Sequence, residues 1–156
     1  MKSIRLRPGK ERSLLRRHPW VFEGSVDRGK ADAGETVRVE AHDGAFLGWA
    51  AYSPQSMIRL RAWSFDEAER IDAAFLPRRV QRAVALRARL AVESDAVRLV
   101  HGEADGLPGL VVDRYADTLS VQPCSRIATC ASPWPRSHPV CGSSPSSPRA
   151  WVSLRS

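Results

Sequence analysis

Residues 34–64 read GETVRVEAHDGAFLGWAAYSPQSMIRLRAWS, and the spacing within this stretch decides the fold. From Glu35 to Glu40 polar and apolar side chains alternate, which places Val37 and Val39 on one face of a strand. His42-Asp43-Gly44 reads as a hairpin turn, because Asp-Gly supplies the positive-φ positions such a turn needs. Ala45 to Tyr52 returns as a second strand, and Ser53-Pro54-Gln55-Ser56 turns again. Met57 to Ser64 then sets Met57, Arg59 and Arg61 against Ile58, Leu60 and Ala62, so one face is basic and the other is core.

On the N-terminal side, Ser3 to Arg7 alternates as a short strand and Pro8-Gly9 makes a turn. Lys10 to Arg17 reads as a short helix that contacts the core through Leu14 and Leu15 and stops at Pro19. Trp20-Val21-Phe22 opens another strand that ends near Val26. Residues 1–65 therefore give one small helix and about five strands between turn signals, the pattern of a compact barrel-like module. On the C-terminal side, residues 66–70 are a charged linker, and a helix runs from about Leu76 to Val92 with Pro77 in its first turn. Val80, Ala83, Val84, Arg87, Leu90 and Ala91 recur at helical spacing and predict one apolar side. Val97 to Val100 reads as a strand, residues 101–109 as a loop with three glycines, and Leu110–Asp113 with Thr118–Val121 as a hairpin.

After Gln122 the composition changes. Residues 122–156 hold six prolines, nine serines, four arginines and all three cysteines, with no Asp or Glu. This is the composition of a GC-rich gene translated out of frame, and it predicts a low-complexity, disordered tail. The net charge of +7 is inflated by those four arginines, so local clustering is the better guide to polyanion binding. Arg5, Arg7, Lys10, Arg12, Arg16, Arg17 and His18 crowd the first eighteen residues against the single acid Glu11.

Catalytic signatures are sparse. Cys124, Cys130 and Cys141 lack the spacing of a zinc site, and neither a phosphate-binding loop nor a dinucleotide fingerprint is present. Gly102, Gly106 and Gly109 read as a tight left-handed loop, because no helix start follows to aim amides at an anion. The expected chain therefore has no metal, no cofactor of its own and no catalytic residue. It also has no membrane-length apolar run and no secretory leader, which fits the cytoplasm. The remaining candidates are binding groups. Arg16-Arg17-His18-Pro19-Trp20 sets two guanidiniums, an imidazole and an indole side by side, suited to phosphates and an unpaired base. The same residues also read as a solvated basic face with Trp20 and Phe22 in the core.

Three stretches carry a resemblance: RLRPGKERSLLRRHPWVFEGSV, GETVRVEAHDGAFLGWAAYSPQSMIRLRAWSF and HGEADGLPGLVVDRY. In this order and spacing the chain resembles the ribosomal RNA large subunit methyltransferase I family, which makes 5-methylcytosine in 23S rRNA with S-adenosylmethionine. The resemblance implies a mainly β fold with some α. An N-terminal RNA-binding PUA domain, a pseudo-β-barrel, is expected over residues 1–68. A truncated central α/β domain is expected over 71–121 and the tail over 122–156. The family's Rossmann-like domain, with its donor-binding loop and catalytic cysteine, has no counterpart in this sequence, and the three tail cysteines do not match its context. The partner so implied is RNA, specifically 23S rRNA. Lys10, Arg16, Arg17 and His18 are expected at phosphates, Arg59 and Arg61 extending the patch, and Trp20 or Tyr52 stacking or packing. The alternative is a working methyltransferase, completed by a separately encoded catalytic half.

Overall fold

A computed structural model describes residues 2–91 and 93–123, together with the backbone of residues 150–153. The chain divides into two compact units, Met1–Asp72 and Ala73–Ser156.

The first unit holds strands β1 (Ser3–Leu6), β2 (Trp20–Phe22), β3 (Val26–Arg28), β4 (Thr36–Glu40), β5 (Phe46–Tyr52) and β6 (Ile58–Ser64), with helix α1 (Arg12–Leu15) between β1 and β2. The six strands form one curled sheet in the order β2-β6-β5-β4-β1-β3. Pairing is antiparallel throughout except between β1 and β4, which run parallel with Ile4 opposite Val39. The alternation read from the sequence becomes the core. Ile4, Leu6, Val21, Val37, Val39, Leu47, Ala50, Leu60 and Ala62 form one buried cluster, to which α1 contributes Leu14. Burying each valine, leucine or isoleucine of this cluster contributes about 1.5–3 kcal/mol.

Two glycines are dictated by geometry. Gly44 completes the β4–β5 hairpin at φ 94°, where the Ala45 amide donates to Asp43 Oδ1 at 3.0 Å. A Cβ on Gly48 would lie 2.8 Å from the Ser64 carbonyl oxygen, so β5 and β6 approach closely only because position 48 has no side chain. The expected helix over residues 10–17 is shorter than its sequence pattern, and Leu15 is exposed while Leu14 alone enters the core. Four residues present one face to the sheet, so a second adjacent leucine necessarily points away. The strand expected from Trp20 to Val26 is broken into β2 and β3 by a 3₁₀ turn at Glu23–Ser25.

The second unit contains α2 (Phe75–Leu90) and strands β7 (Ala96–His101), β8 (Leu110–Tyr115), β9 (Thr118–Pro123) and β10 (Ala150–Ser153). The sheet order is β10-β9-β8-β7, all antiparallel. Gln122 and Pro123, the end of β9, and β10 fall inside the segment expected to lack order; residues 124–149, including Cys124, Cys130 and Cys141, and 154–156 lie outside the described residues. Ala83, Val100 and Leu107 are buried together, with Leu76, Val80, Leu110 and Val112 packed around them. Val84 and Leu90, expected on the apolar side of α2, are exposed, so the buried stripe is narrower than the periodicity suggested. Arg87 sits on the inner side because its guanidinium is spoken for. It meets Asp105 in two parallel hydrogen bonds of 2.6 and 2.7 Å and donates through Nε to the Arg98 carbonyl at 3.1 Å. Asp105 also accepts the His101 amide at 2.6 Å, which locks the glycine-rich loop to the helix.

Candidate nucleic-acid interface

The segment from Lys10 to Phe22 is organised by how α1 ends. The Arg17 amide donates to the Leu14 carbonyl at 2.8 Å and the His18 amide to the Ser13 carbonyl at 2.9 Å. This pair of bonds is the Schellman closure, whose left-handed position is usually glycine. Here it is Arg17, at φ 60°. A left-handed L-residue costs about 1–2 kcal/mol of backbone strain, which the contacts of the arginine side chain must offset. Its guanidinium lies over the Phe65 ring, 5.7 Å from the centroid. His18 Nδ1 accepts the Trp20 amide at 3.3 Å, which leaves Nε2 as the outward donor, and the imidazole meets the indole edge-on at 5.6 Å.

Several basic side chains elsewhere are paired with acids. Lys2 binds Glu35 at 2.8 Å and Asp32 at 3.0 Å, and Arg5 binds Glu40 at 3.2 Å. Arg38 joins Glu67 at 2.6 Å and Glu40 at 3.2 Å, with its guanidinium 4.7 Å from the Phe46 ring centre. Arg98 joins Asp113 at 2.8 Å. These hydrogen bonds shift the groups' titration. Glu35, foremost, and then Asp32 raise the Lys2 pKa, while Lys2 and the Asp32 amide lower that of Glu35. The bond to Glu67 raises the Arg38 pKa and the bond to Asp113 raises that of Arg98.

Lys10, Arg12 and Arg16, by contrast, are exposed and make no ion pair among the described residues. Glu11, the one acid in their midst, has its Oε2 sealed from solvent without a hydrogen-bond partner among the described residues. Three such cations within seven residues make a local positive cluster, the kind of feature a polyanion site needs.

The structure brings Lys10, Arg16, Arg17 and His18 onto this segment, all exposed. Trp20 is half-buried on β2, directly opposite Arg61 of β6. Two expected residues do not join them. Tyr52 is only 6% exposed and belongs to the core cluster, so its ring packs and offers no face to a base. Arg59, with a side chain 12% exposed, is held by Glu23 and by the Pro54 carbonyl, so it is already satisfied. Two further residues stand near them. Arg12, counted in the basic run but not among the expected phosphate contacts, lies four positions before Arg16. Phe22 reads as core by composition but is 50% exposed.

Among the described residues no group of three or more His, Cys, Asp or Glu is placed to hold a metal, and no helix is long and apolar enough to cross a membrane. The glycine-rich loop is no cradle for a nucleotide-like cofactor. Its amides close a 3₁₀ turn, Gly106 to Glu103 and Leu107 to Gly102, and the chain then enters β8 instead of a helix. This loop therefore lacks the helix-start amides that would hold the anionic or polar end of S-adenosylmethionine.

Residues 4–65 match the PUA-like domain family, which defines the class of the first unit. Ribosomal RNA large subunit methyltransferase I from Shewanella denitrificans is 52% identical over 136 residues, covering 84% of this chain and 34% of that protein. The protein of the same name from Citrobacter koseri is 51% identical over 121 residues, covering 75% of this chain and 31% of its own length. Over these aligned residues the chain is about half identical to proteins named ribosomal RNA large subunit methyltransferase I, and it spans about a third of the length of the curated relatives it matches. A solved structure from Streptococcus mutans, assigned as a SAM-dependent methyltransferase, superposes with a TM-score of 0.69 at 19% identity, over 83% of this chain and 34% of its own. A methyltransferase structure solved with SAH gives the same TM-score at 18% identity. At these identities the likeness is one of fold.

Proposed function

We propose that the first unit binds RNA through Lys10, Arg12, Arg16, Arg17 and His18, as the RNA-holding part of a ribosomal RNA methyltransferase. The observation that carries this reading is the concentration of unpaired cations on the Lys10–His18 segment of a PUA-like domain, while basic side chains such as Lys2, Arg5 and Arg38 are matched to acids. The relatives' name points to large-subunit rRNA as the RNA, which in those bacterial relatives is 23S rRNA, met in the cytoplasm. Methylation at cytosine C5 with S-adenosylmethionine as donor draws on the two thirds of the relatives' length outside the alignment. The contribution of this span is to dock and orient the substrate.

The test is the affinity of the intact chain for a labelled 23S rRNA fragment, followed by fluorescence anisotropy between low and moderate salt. Each phosphate contact contributes about −0.7 to −0.9 to the slope of log K against log salt, so three to five contacts give roughly −2 to −4. Replacing Lys10, Arg12 and Arg16 together by alanine lowers both affinity and slope. Affinity that is independent of salt, or untouched by the triple substitution, overturns the reading.

A further inference from the structure

β2 carries two aromatic rings beside a buried residue. Val21 is buried, whereas Trp20 is half-buried and Phe22 exposed, and the register with β6 shifts between Val21 and Phe22. Phe22 is 50% exposed, and Met57, whose carbonyl accepts the Glu23 amide at 2.9 Å, is 79% exposed beside it. The cation next to these rings is Arg61, opposite Trp20 in register. The nearby acid, Glu23, is already neutralised by Arg59. β2 is also an edge strand of the sheet, so no further strand covers this side of it. Phe22 and Met57 together make a small exposed apolar patch, large enough to seat a flat ring.

Charge decides which partner. The segment leading directly into β2 presents Lys10, Arg12, Arg16, Arg17 and His18, and its one acid has an oxygen turned inward. A polyanion with flat apolar faces satisfies both halves of this surface, and a nucleic-acid strand with unstacked bases has that chemistry. We propose that Trp20 and Phe22 form a base-stacking platform, flanked by Arg61 and Met57, that selects unpaired nucleotides over duplex RNA. This deepens the RNA-binding reading and rests on it. Phosphates are held on the α1 side and two successive bases lie against β2. A duplex keeps its bases stacked on one another and gains nothing from the rings.

The experiment compares a fluorescein-labelled single-stranded oligoribonucleotide with a blunt duplex of matched phosphate number, using the intact chain. The wild type is expected to bind the single strand about ten-fold more tightly. Phe22→Leu, which keeps an apolar side chain but no π-face, weakens single-strand binding about five- to ten-fold and leaves the duplex within about two-fold, while Phe22→Tyr restores it. Met57→Ala has a smaller effect, about two-fold. Equal affinity for the two RNAs, or an unchanged Phe22→Leu variant, overturns the platform and marks the patch as a protein contact. In that case salt-dependent duplex binding through Lys10 and Arg16 still stands. Loss of binding to both RNAs in the wild type refutes the underlying reading instead.

Discussion

Replacing Arg17 by glycine separates the demands of the fold from those of the ligand. Arg17 occupies the left-handed position of the α1 closure at φ 60°. Glycine relieves about 1–2 kcal/mol of backbone strain there. Against that stand about 0.4–1 kcal/mol of added unfolded-state entropy and about 0.5–1 kcal/mol for the lost contact of the guanidinium with Phe65. The terms nearly cancel, so Arg17→Gly is expected within about 1 kcal/mol of the wild type, less than about 8 °C in Tm for a unit of this size. RNA affinity behaves differently. A charged hydrogen bond contributes about 1.5–3 kcal/mol, so the variant loses about ten-fold or more, and the salt slope flattens by about 0.7–0.9. Thermal melting by circular dichroism and anisotropy titration at several salt concentrations measure both. A large fall in Tm would make Arg17 a structural residue. Unchanged affinity and slope at an unchanged Tm would remove it from the interface and refute the argument that strain is retained for function.

Gly48→Ala is expected to cost about 1–3 kcal/mol in denaturant unfolding, because its Cβ would press on the Ser64 carbonyl from 2.8 Å; a neutral outcome would mean that β5 and β6 can separate freely. Asp105→Ala leaves the largely buried Arg87 guanidinium without its carboxylate and is expected to destabilise the second unit by about 3–5 kcal/mol, read by hydrogen exchange in residues 73–123. Glu35 has its pKa lowered in the fold, so its contribution is present above the ordinary carboxylate pKa and disappears as pH falls through the depressed value. Glu35→Gln should therefore lower Tm at neutral pH and flatten the acid limb of the Tm–pH curve, and an identical acid limb would remove Lys2 and Asp32 as the cause. The pair is exposed, so the effect is small and shrinks further in salt.

The barrel was legible because its strands obey a period of two with turn residues between them. Val37, Val39, Leu60 and Ala62 are buried where alternation put them, and Gly44 takes the positive φ that its Asp-Gly turn required. What escaped was set by contacts distant in sequence. Nothing local to Arg59 announces that Glu23, thirty-six residues earlier, will occupy it. Tyr52 and Phe22 are both aromatic residues on strands, and only the closure of the sheet decides that one ring is in the core and the other in solvent. The α2 stripe misled for a related reason. Periodicity counts Val84 and Leu90 as equivalent to Ala83, but a small sheet covers only part of that helix face. The basic segment itself was visible, whereas the left-handed Arg17 that gives it a distinct shape was not, since arginine carries no sequence signal for that conformation.

The most direct measurement is to map the contact itself by following backbone amide chemical shifts of the intact, isotope-labelled chain as an rRNA-derived oligonucleotide is added. The account predicts that the largest changes fall on residues 10–22 and on Arg61, while the Arg98–Asp113 face of the second unit stays still. Changes concentrated in residues 73–123, or none at saturating RNA, would contradict it.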